Sequence, residues 1–195
     1  MTTAQPAEIW FIRHFRTPWN AEGRLQGRRD IALDDPLSDA DQAVLAVNRA
    51  ALEGVQFRAV LTSPLQRVRQ TAALHGFAGA SPDADLAELD FGPWEGRLWH
   101  ELHASHPGAW QSAPHSLPLG EPFAAFRARV AGLHQRLLAQ PGPVLLFGHG
   151  AWFGCLQSLL AGGDGSDLAG RTCGNGVLTR LARPSGNTNT PDTHL

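Results

Sequence analysis

Apolar residues in this chain follow two spacings. Three short runs are almost continuously apolar: Ile9 to Ile12, Ala59 to Thr62, and Val144 to Phe147. Runs of four like these predict buried strands of a parallel sheet. Between them the apolar positions recur every three or four residues. Ser38, with Asp41 three residues on, resembles a capping box with Asp in place of Glu, and it predicts a helix carrying Ala40, Val44, Val47 and Ala51 on one face. Ser63-Pro64 predicts an N-cap and a proline at the first helical position, with Arg67 in the first turn and Gly76 as the stop. Pro122 opens a helix with Phe126, Val130, Leu133 and Leu137 on one stripe, ended by Gln140-Pro141-Gly142-Pro143. A further helix is expected from Ala151 to Leu160, stopped by Gly162-Gly163, and a last strand from Val177 to Leu181. This alternation predicts an α/β fold, a three-layer α/β/α sandwich around a mostly parallel central sheet.

Two stretches break the pattern. Leu98 to Gly120 carries two Trp, four His and three Pro, and is expected to be an irregular lid or specificity wall. Ser185 to Leu195 is polar and aperiodic and predicts a disordered tail, so that 1–184 forms a single domain.

The strand ends change the picture from fold to chemistry. The first run leads into Arg13-His14 and the third into Gly148-His149-Gly150. In open α/β sheets, ligands bind at the carboxyl edge of the strands. Two imidazoles and two guanidiniums, those of Arg13 and Arg67, can therefore converge there on one anion.

Charge and composition narrow the options. The net charge of -2 argues against bulk nucleic-acid binding. Arg13, Arg16, Arg24, Arg28 and Arg29 still allow a local positive pocket. All sixteen basic residues are arginine. Schiff-base, pyridoxal-type and Walker-type chemistry all need a lysine and are excluded. Cys155 and Cys173 have no metal-ligand spacing and fit a reducing compartment. No run approaches membrane-spanning length, and the segment before Ile9 has neither a basic start nor a long apolar stretch, so the expected setting is cytoplasmic. His100, His103 and His106 repeat every three residues around Glu101, but Pro107 and the lack of an i, i+4 pair favour a solvated helix face over a metal site. Trp94 and Trp99 are expected to be packing residues, and Arg28 and Arg29 surface charges. Arg24 is expected at the mouth of the site. No cofactor, metal, nucleic acid or membrane is expected, and the pattern specifies no oligomeric state.

Arginine suits phosphate because its planar fork donates parallel hydrogen bonds to phosphate oxygens. A neutral, oriented histidine can attack phosphorus. The leaving oxygen needs a proton, and a carboxylic acid is the natural donor. Candidates lie between Leu86 and Gly96.

Five blocks resemble the histidine phosphatase superfamily in its phosphoglycerate-mutase-like branch. They are Arg13-His14 with Thr17, Trp19-Asn20, Gly23-Arg24, Gln26-Gly27 and Asp30; Ser63-Pro64-Leu65-Gln66-Arg67 with Gln70-Thr71-Ala72; Glu88 with Phe91 to Gly96; Gly120-Glu121, Phe126 and Arg129-Val130; and Gly148-His149-Gly150. The resemblance implies a phosphoglycerate-mutase-like fold and a metal-independent phosphomonoesterase acting on a small phosphorylated metabolite. It implies that His14 is the nucleophile and that Arg13, Arg67 and His149 bind the phosphoryl group. Asn20 and the amide of Gly150 would assist, Arg24 and Gln26 would contact substrate, Glu88 would be the general acid, and Glu95 a scaffold residue. The third block resembles α-ribazole phosphatases as well as broad-specificity members. The family usually places Gly and then Glu or Gln after the nucleophile, where this chain has Phe15 and Arg16. An apolar wall beside the phosphate is therefore expected from Phe15. A phosphoglycerate mutase and an impaired phosphate-ester-binding member stand as alternatives.

Overall fold

The computed structural model describes residues 8–139 and 141–181. The expected tail from 185 to 195 lies outside the described residues. Five strands form one sheet in the order β3-β2-β4-β1-β5. They are β1 (Ile9–Arg13), β2 (Ala59–Thr62), β3 (Ser81–Pro82), β4 (Val144–Gly148) and β5 (Leu178–Leu181). β5 runs antiparallel to β1, and the other pairings are parallel. The sheet is thus mostly parallel, with helices on both faces.

The continuous apolar runs are explained by two-sided burial. Ile9, Phe11, Val144 and Leu146 face one core, shared with helix α6 (Phe123–Leu138) and helix α7 (Gly150–Leu160). The alternate residues Trp10, Ile12, Leu145 and Phe147 face a second core. Leu52 of helix α2 (Asp39–Leu52) and Val68 and Ala72 of helix α3 (Gln66–Leu74) close it. Strand period two sends successive side chains to opposite faces, so neither face can be polar. The remaining helices are short: α1 (Pro18–Ala21), α4 (Trp99–Ser105) and α5 (Ala109–Ser112).

Three local expectations are corrected. Ser38 does cap α2, accepting the Asp41 N–H at 3.1 Å. The buried face of that helix, however, is Leu45, Asn48 and Leu52, and Val47 is 70% exposed. Asn48 goes inward because its amide nitrogen donates to the Gly176 carbonyl at 2.7 Å and contacts His75 Nε2 at 3.0 Å. Ser63 is not the cap of α3. Leu65 holds that position without a side-chain bond, and the Ser63 hydroxyl is turned to His149 at 2.8 Å. The stretch from Leu98 to Gly120 is not irregular: it folds as α4, α5 and a single 3-10 turn at Pro114–Ser116. Its far end is pinned by the Gly120 N–H on the Asp90 carbonyl at 2.9 Å.

Candidate active site

Strand register builds the site. β1 and β4 are neighbours, with Arg13 opposite Gly148. The next residue on each strand is a histidine, and the His14 N–H continues the ladder onto the Gly148 carbonyl at 3.1 Å. β2 lies on the far side of β4, and Ser63 N–H bonds the Phe147 carbonyl at 3.1 Å. Three chain segments thus leave the sheet side by side at its carboxyl edge. The rings of His14 and His149 lie 5.4 Å apart.

Arg67 fills the space between them. It is 1% exposed, and its Nε donates toward His14 Nε2 at 3.4 Å while a terminal nitrogen donates to His149 Nδ1 at 3.2 Å. It also donates to the carbonyls of Arg29 (2.7 Å) and Gly27 (2.8 Å). A guanidinium has only donors, so each imidazole nitrogen that it meets must be an acceptor. That settles both tautomers. His14 carries its proton on Nδ1 and gives it to the Phe15 carbonyl at 2.6 Å. His149 carries its proton on Nε2 and gives it to the Ser63 hydroxyl. Burial, then the charges of Arg67 and Arg13, push the His14 pKa well below the ordinary histidine range. Burial and Arg67 do the same to His149. Burial lowers Arg67 itself to about 10, opposed by the negative charges of Glu88 and Asp30, so it remains a cation at neutral pH.

A cavity of about 230 Å³ opens onto this cluster. Arg13, His14, Asn20, Arg24, Gln26, Arg67, Glu88 and Gly150 all line it, and His149 sits behind them, fully buried. The sequence-derived residues are therefore brought together. Arg13 is held by a bond to the Cys173 carbonyl at 2.7 Å, and its buried Nε has no partner among the described residues. The guanidinium lies where a side chain on Gly150 would sit, since a Cβ there would be 3.0 Å from its central carbon. Gly27 adopts φ +52°, and a Cβ there would collide with the Glu95 carboxylate. Asn20 Oδ1 closes a capping box with Thr17 at 3.3 Å. Gln26 is 7% exposed and its Oε1 is unpartnered among the described residues.

Glu88 stands at the amino end of α7. Its Oε1 accepts the N–H groups of Leu89 (3.1 Å) and Trp152 (3.0 Å), and its Oε2 accepts that of Ala151 (3.1 Å). Gly150 opens the same turn and lines the cavity, at a helix end whose first N–H groups have no intrahelical partner and suit an anion. The Glu88 carbonyl is fixed from behind by Arg28 (2.7 Å) and Arg129 (2.9 Å). Both arginines meet Glu121. Burial raises the Glu121 pKa, but bonds from Arg129 and the Asp90 N–H, with the charges of Arg129 and Arg28, together outweigh it and hold the carboxyl below its ordinary range. Glu95 accepts the Arg28 N–H at 2.6 Å and pairs with Arg29 at 3.4 Å; burial raises its pKa. It does not line the cavity.

Four expectations change here. Phe15 forms no wall of the cavity. Its ring is fully buried with Leu33 and Leu45, stacks on His75 at 5.5 Å, and fills the space above Gly176. No non-glycine residue has positive φ among the described residues, so Phe15 carries no left-handed strain. Arg28 is a buttress of Glu88 rather than a free surface charge. Arg29 is exposed through its side chain, but its carbonyl anchors Arg67. Trp94 is a packing residue at 5% exposure, whereas Trp99 lines the cavity with Phe91 and Trp110. His106 is also turned inward, edge-on to Trp94 at 5.3 Å. Among the described residues, no group of three or more His, Cys, Asp and Glu side chains is arranged to hold a metal ion. Leu168 and Thr172 complete the cavity. They come from an aperiodic loop in which no local signal marks them.

Comparison with known proteins agrees with this geometry. A family model for the histidine phosphatase superfamily (branch 1) matches residues 9–190. The chain is 30% identical over 198 aligned positions to a 2-carboxy-D-arabinitol-1-phosphatase of Triticum aestivum, covering 94% of this chain but only 39% of the wheat protein. It is 32% identical over 166 positions to a probable phosphoglycerate mutase of Klebsiella pneumoniae, covering 80% of this chain and 75% of that one. The fold matches the structure of a putative alpha-ribazole-5'-P phosphatase from Escherichia coli with a TM-score of 0.75 at 25% identity, covering 90% of each chain. With its strand-end histidines, its clamp of arginines and a match across nearly its whole length, the chain belongs to the histidine phosphatase superfamily, branch 1, and is a phosphate-ester enzyme of that family.

Proposed function

We propose that the protein is a metal-independent phosphomonoesterase that hydrolyses a small phosphorylated metabolite through a phosphohistidine on His14. The observation that carries this reading is the state of the His14 ring. Nδ1 is committed to the Phe15 carbonyl, and the Nε2 lone pair, met only by a long 3.4 Å contact from Arg67 Nε that an incoming phosphate can take over, is available in a cavity flanked by Arg13 and Arg67. A neutral imidazole fixed in this tautomer is a ready nucleophile.

In the first step Nε2 attacks phosphorus in line. The bond to the leaving oxygen breaks, and that oxygen takes a proton from Glu88. Oε2 is the oxygen with the single N–H bond, so it is the one placed to carry that proton. The ring becomes cationic, and its Nδ1–H bond to the Phe15 carbonyl opposes the new charge. In the second step water attacks phosphorus and Glu88 takes its proton. The P–N bond breaks and returns His14 to its neutral form. Arg13, Arg67 and the Gly150 amide bear the charge on the equatorial oxygens. His149 does not meet them as expected, because in its tautomer the one N–H goes to Ser63, and it acts instead by holding Arg67.

The positive charge in this scheme comes from side chains, so turnover is expected to survive exhaustive chelation. A phosphatase is favoured over a mutase because phosphoglycerates bring a further carboxylate, whereas among the described residues the one cation lining the cavity beyond Arg13 and Arg67 is Arg24, which is already paired with Glu22. A cytoplasmic setting accords with two buried thiols whose pKa values burial pushes up to about 12. Brief incubation with labelled substrate and a denaturing quench is expected to trap an acid-labile, base-stable phosphoprotein that is absent from His14→Ala. Label retained in that variant sinks the assignment. Primer-dependent interconversion of 2- and 3-phosphoglycerate with negligible phosphate release reassigns the chain as a mutase. Phosphorylated α-ribazole belongs in the substrate panel.

A further inference from the structure

Resting on the phosphatase reading, we infer that Trp99 is the stacking platform for the leaving group, and that this group presents a flat, uncharged ring. Trp99 differs from its neighbour Trp94 in the way that a ligand surface differs from a core. Trp94 is buried, with the Arg97 guanidinium 4.7 Å over its ring. Trp99 is only partly buried and lines the cavity that holds His14. Two deeper rings support it. Phe91 meets it edge-on at 5.7 Å and Trp110 at 5.1 Å with the planes 61° apart, and these two contact each other at 5.5 Å. Both supporting rings also touch the cavity but are under 9% exposed, so most of their area is spent on packing, and Trp99 is the most open of the three. His103 stacks against the indole at 5.9 Å.

The platform is also fixed relative to the phosphate clamp. The Trp99 N–H bonds the Gly23 carbonyl at 3.0 Å, and Leu98 forms a bridge with Arg24. The segment carrying Arg24 and Gln26 is thereby tied to the start of α4. A rigid indole at a set distance from the reacting phosphorus selects by shape. Arg24 already has its charge met by Glu22 and one N–H spent on the Gly96 carbonyl at 2.8 Å, so a second anionic group on the substrate would have to compete with a carboxylate for the remaining cation of the lining. The surface that remains is aromatic, and aromatic rings prefer offset or edge-to-face partners.

The test is the ratio of kcat/KM for benzyl phosphate to that for ethyl phosphate, two alkyl esters with similar need of an acid. Aromatic contact and area burial together are expected to give the wild type a ratio about tenfold above that of Trp99→Ala. Trp99→Phe is expected to keep most of it. An unchanged ratio in Trp99→Ala overturns the platform. A second arm needs no turnover: calorimetric binding of benzylphosphonate and ethylphosphonate to His14→Ala, with and without Trp99→Ala. Loss of the benzyl preference in the double variant supports the platform, and an unaltered preference overturns it. Failure to trap phosphohistidine would sink the phosphatase reading while this arm still decided the role of Trp99.

Discussion

The two ends of the cavity are built on opposite plans. At the phosphate end, the groups are buried or half-buried, and each is held by hydrogen bonds to backbone carbonyls: Arg67 by Arg29 and Gly27, Arg13 by Cys173, His14 by Phe15. At the leaving-group end, rings hold rings, and the wall is a separate excursion outside the sheet. Directional bonds to backbone fix charges within a fraction of an ångström, as stabilising a transferring phosphoryl group requires. Dispersion contacts fix a surface less strictly and can be re-cut by single substitutions. On the reading proposed above, the chemistry belongs to the sheet edge and the selectivity to the excursion.

Four substitutions or conditions test that contrast, taken from the largest expected effect on the rate to the smallest. Arg67→Ala is expected to lower kcat/KM by on the order of 10²–10³. Arg67→Lys should recover little, because an ammonium cannot reach two imidazoles, two carbonyls and a phosphate at once. Near-normal turnover in either variant would mean that the phosphate end is not rigidly specified. Glu88→Gln is next. With alkyl phosphates a loss of about a hundredfold is expected, and a smaller one with activated aryl esters, whose leaving oxygen needs no proton. If Glu95→Gln shows that leaving-group dependence instead, the acid has been misassigned.

Phe15→Gly restores the residue usual in the family and is expected to make the protein worse. Emptying the space beside His75 and Leu45 should cost about 3–5 kcal/mol of stability, as for other buried Phe truncations. It should also lower kcat several-fold by loosening the carbonyl that orients His14. Denaturant titration and initial rates measure the two effects. A gain in rate would show that Phe15 obstructs the site. The smallest effect concerns pH. The folded-state pKa of His14 is depressed, so the ring stays neutral as pH falls through about 6.5, the usual histidine value. No inflection from His14 is expected there in kcat/KM, and an NMR titration of its ring near that value would refute this. Stability behaves differently. His14, His75 and His149 all have lowered folded pKa values. The unfolded chain takes up protons below about 6.5 while the folded one does not, so the midpoint of denaturation should fall as pH drops from 7 toward 5.

The same contrast explains what could be read from the sequence. His14 and His149 were legible because an apolar run of four locates a strand, and a strand end locates the sheet edge. Arg67 was legible through its place in a helix that follows the neighbouring strand. Ser63 was misread because Ser-Pro is a strong local signal, and its actual partner, His149, lies 86 residues away. Asn48 reversed the face of α2 for the same reason, since its partners on Gly176 and His75 lie far along the chain. Phe15 could not be placed from its neighbours, because the glycine that makes room for it is Gly176. Trp94 and Trp99 lie five residues apart with nothing local to tell a core ring from a cavity ring, and it is the closing of the excursion onto Gly23 that separates their roles.

The register of β1 against β4 bears on how this protein can change over time. Along a strand, one added residue advances the chain by about 3.3 Å and turns every later side chain to the opposite face. An insertion in Val144–Gly148 would carry His149 away from Arg67 and aim it into the helix layer. Length variation is therefore closed to the strands that carry the histidines. It stays open in the stretch between Asp90 and Gly120, whose ends are already clasped together and whose middle can lengthen without moving either imidazole. New substrates for such an enzyme should arise by loop growth at one rim, with the arginine and histidine cluster inherited intact.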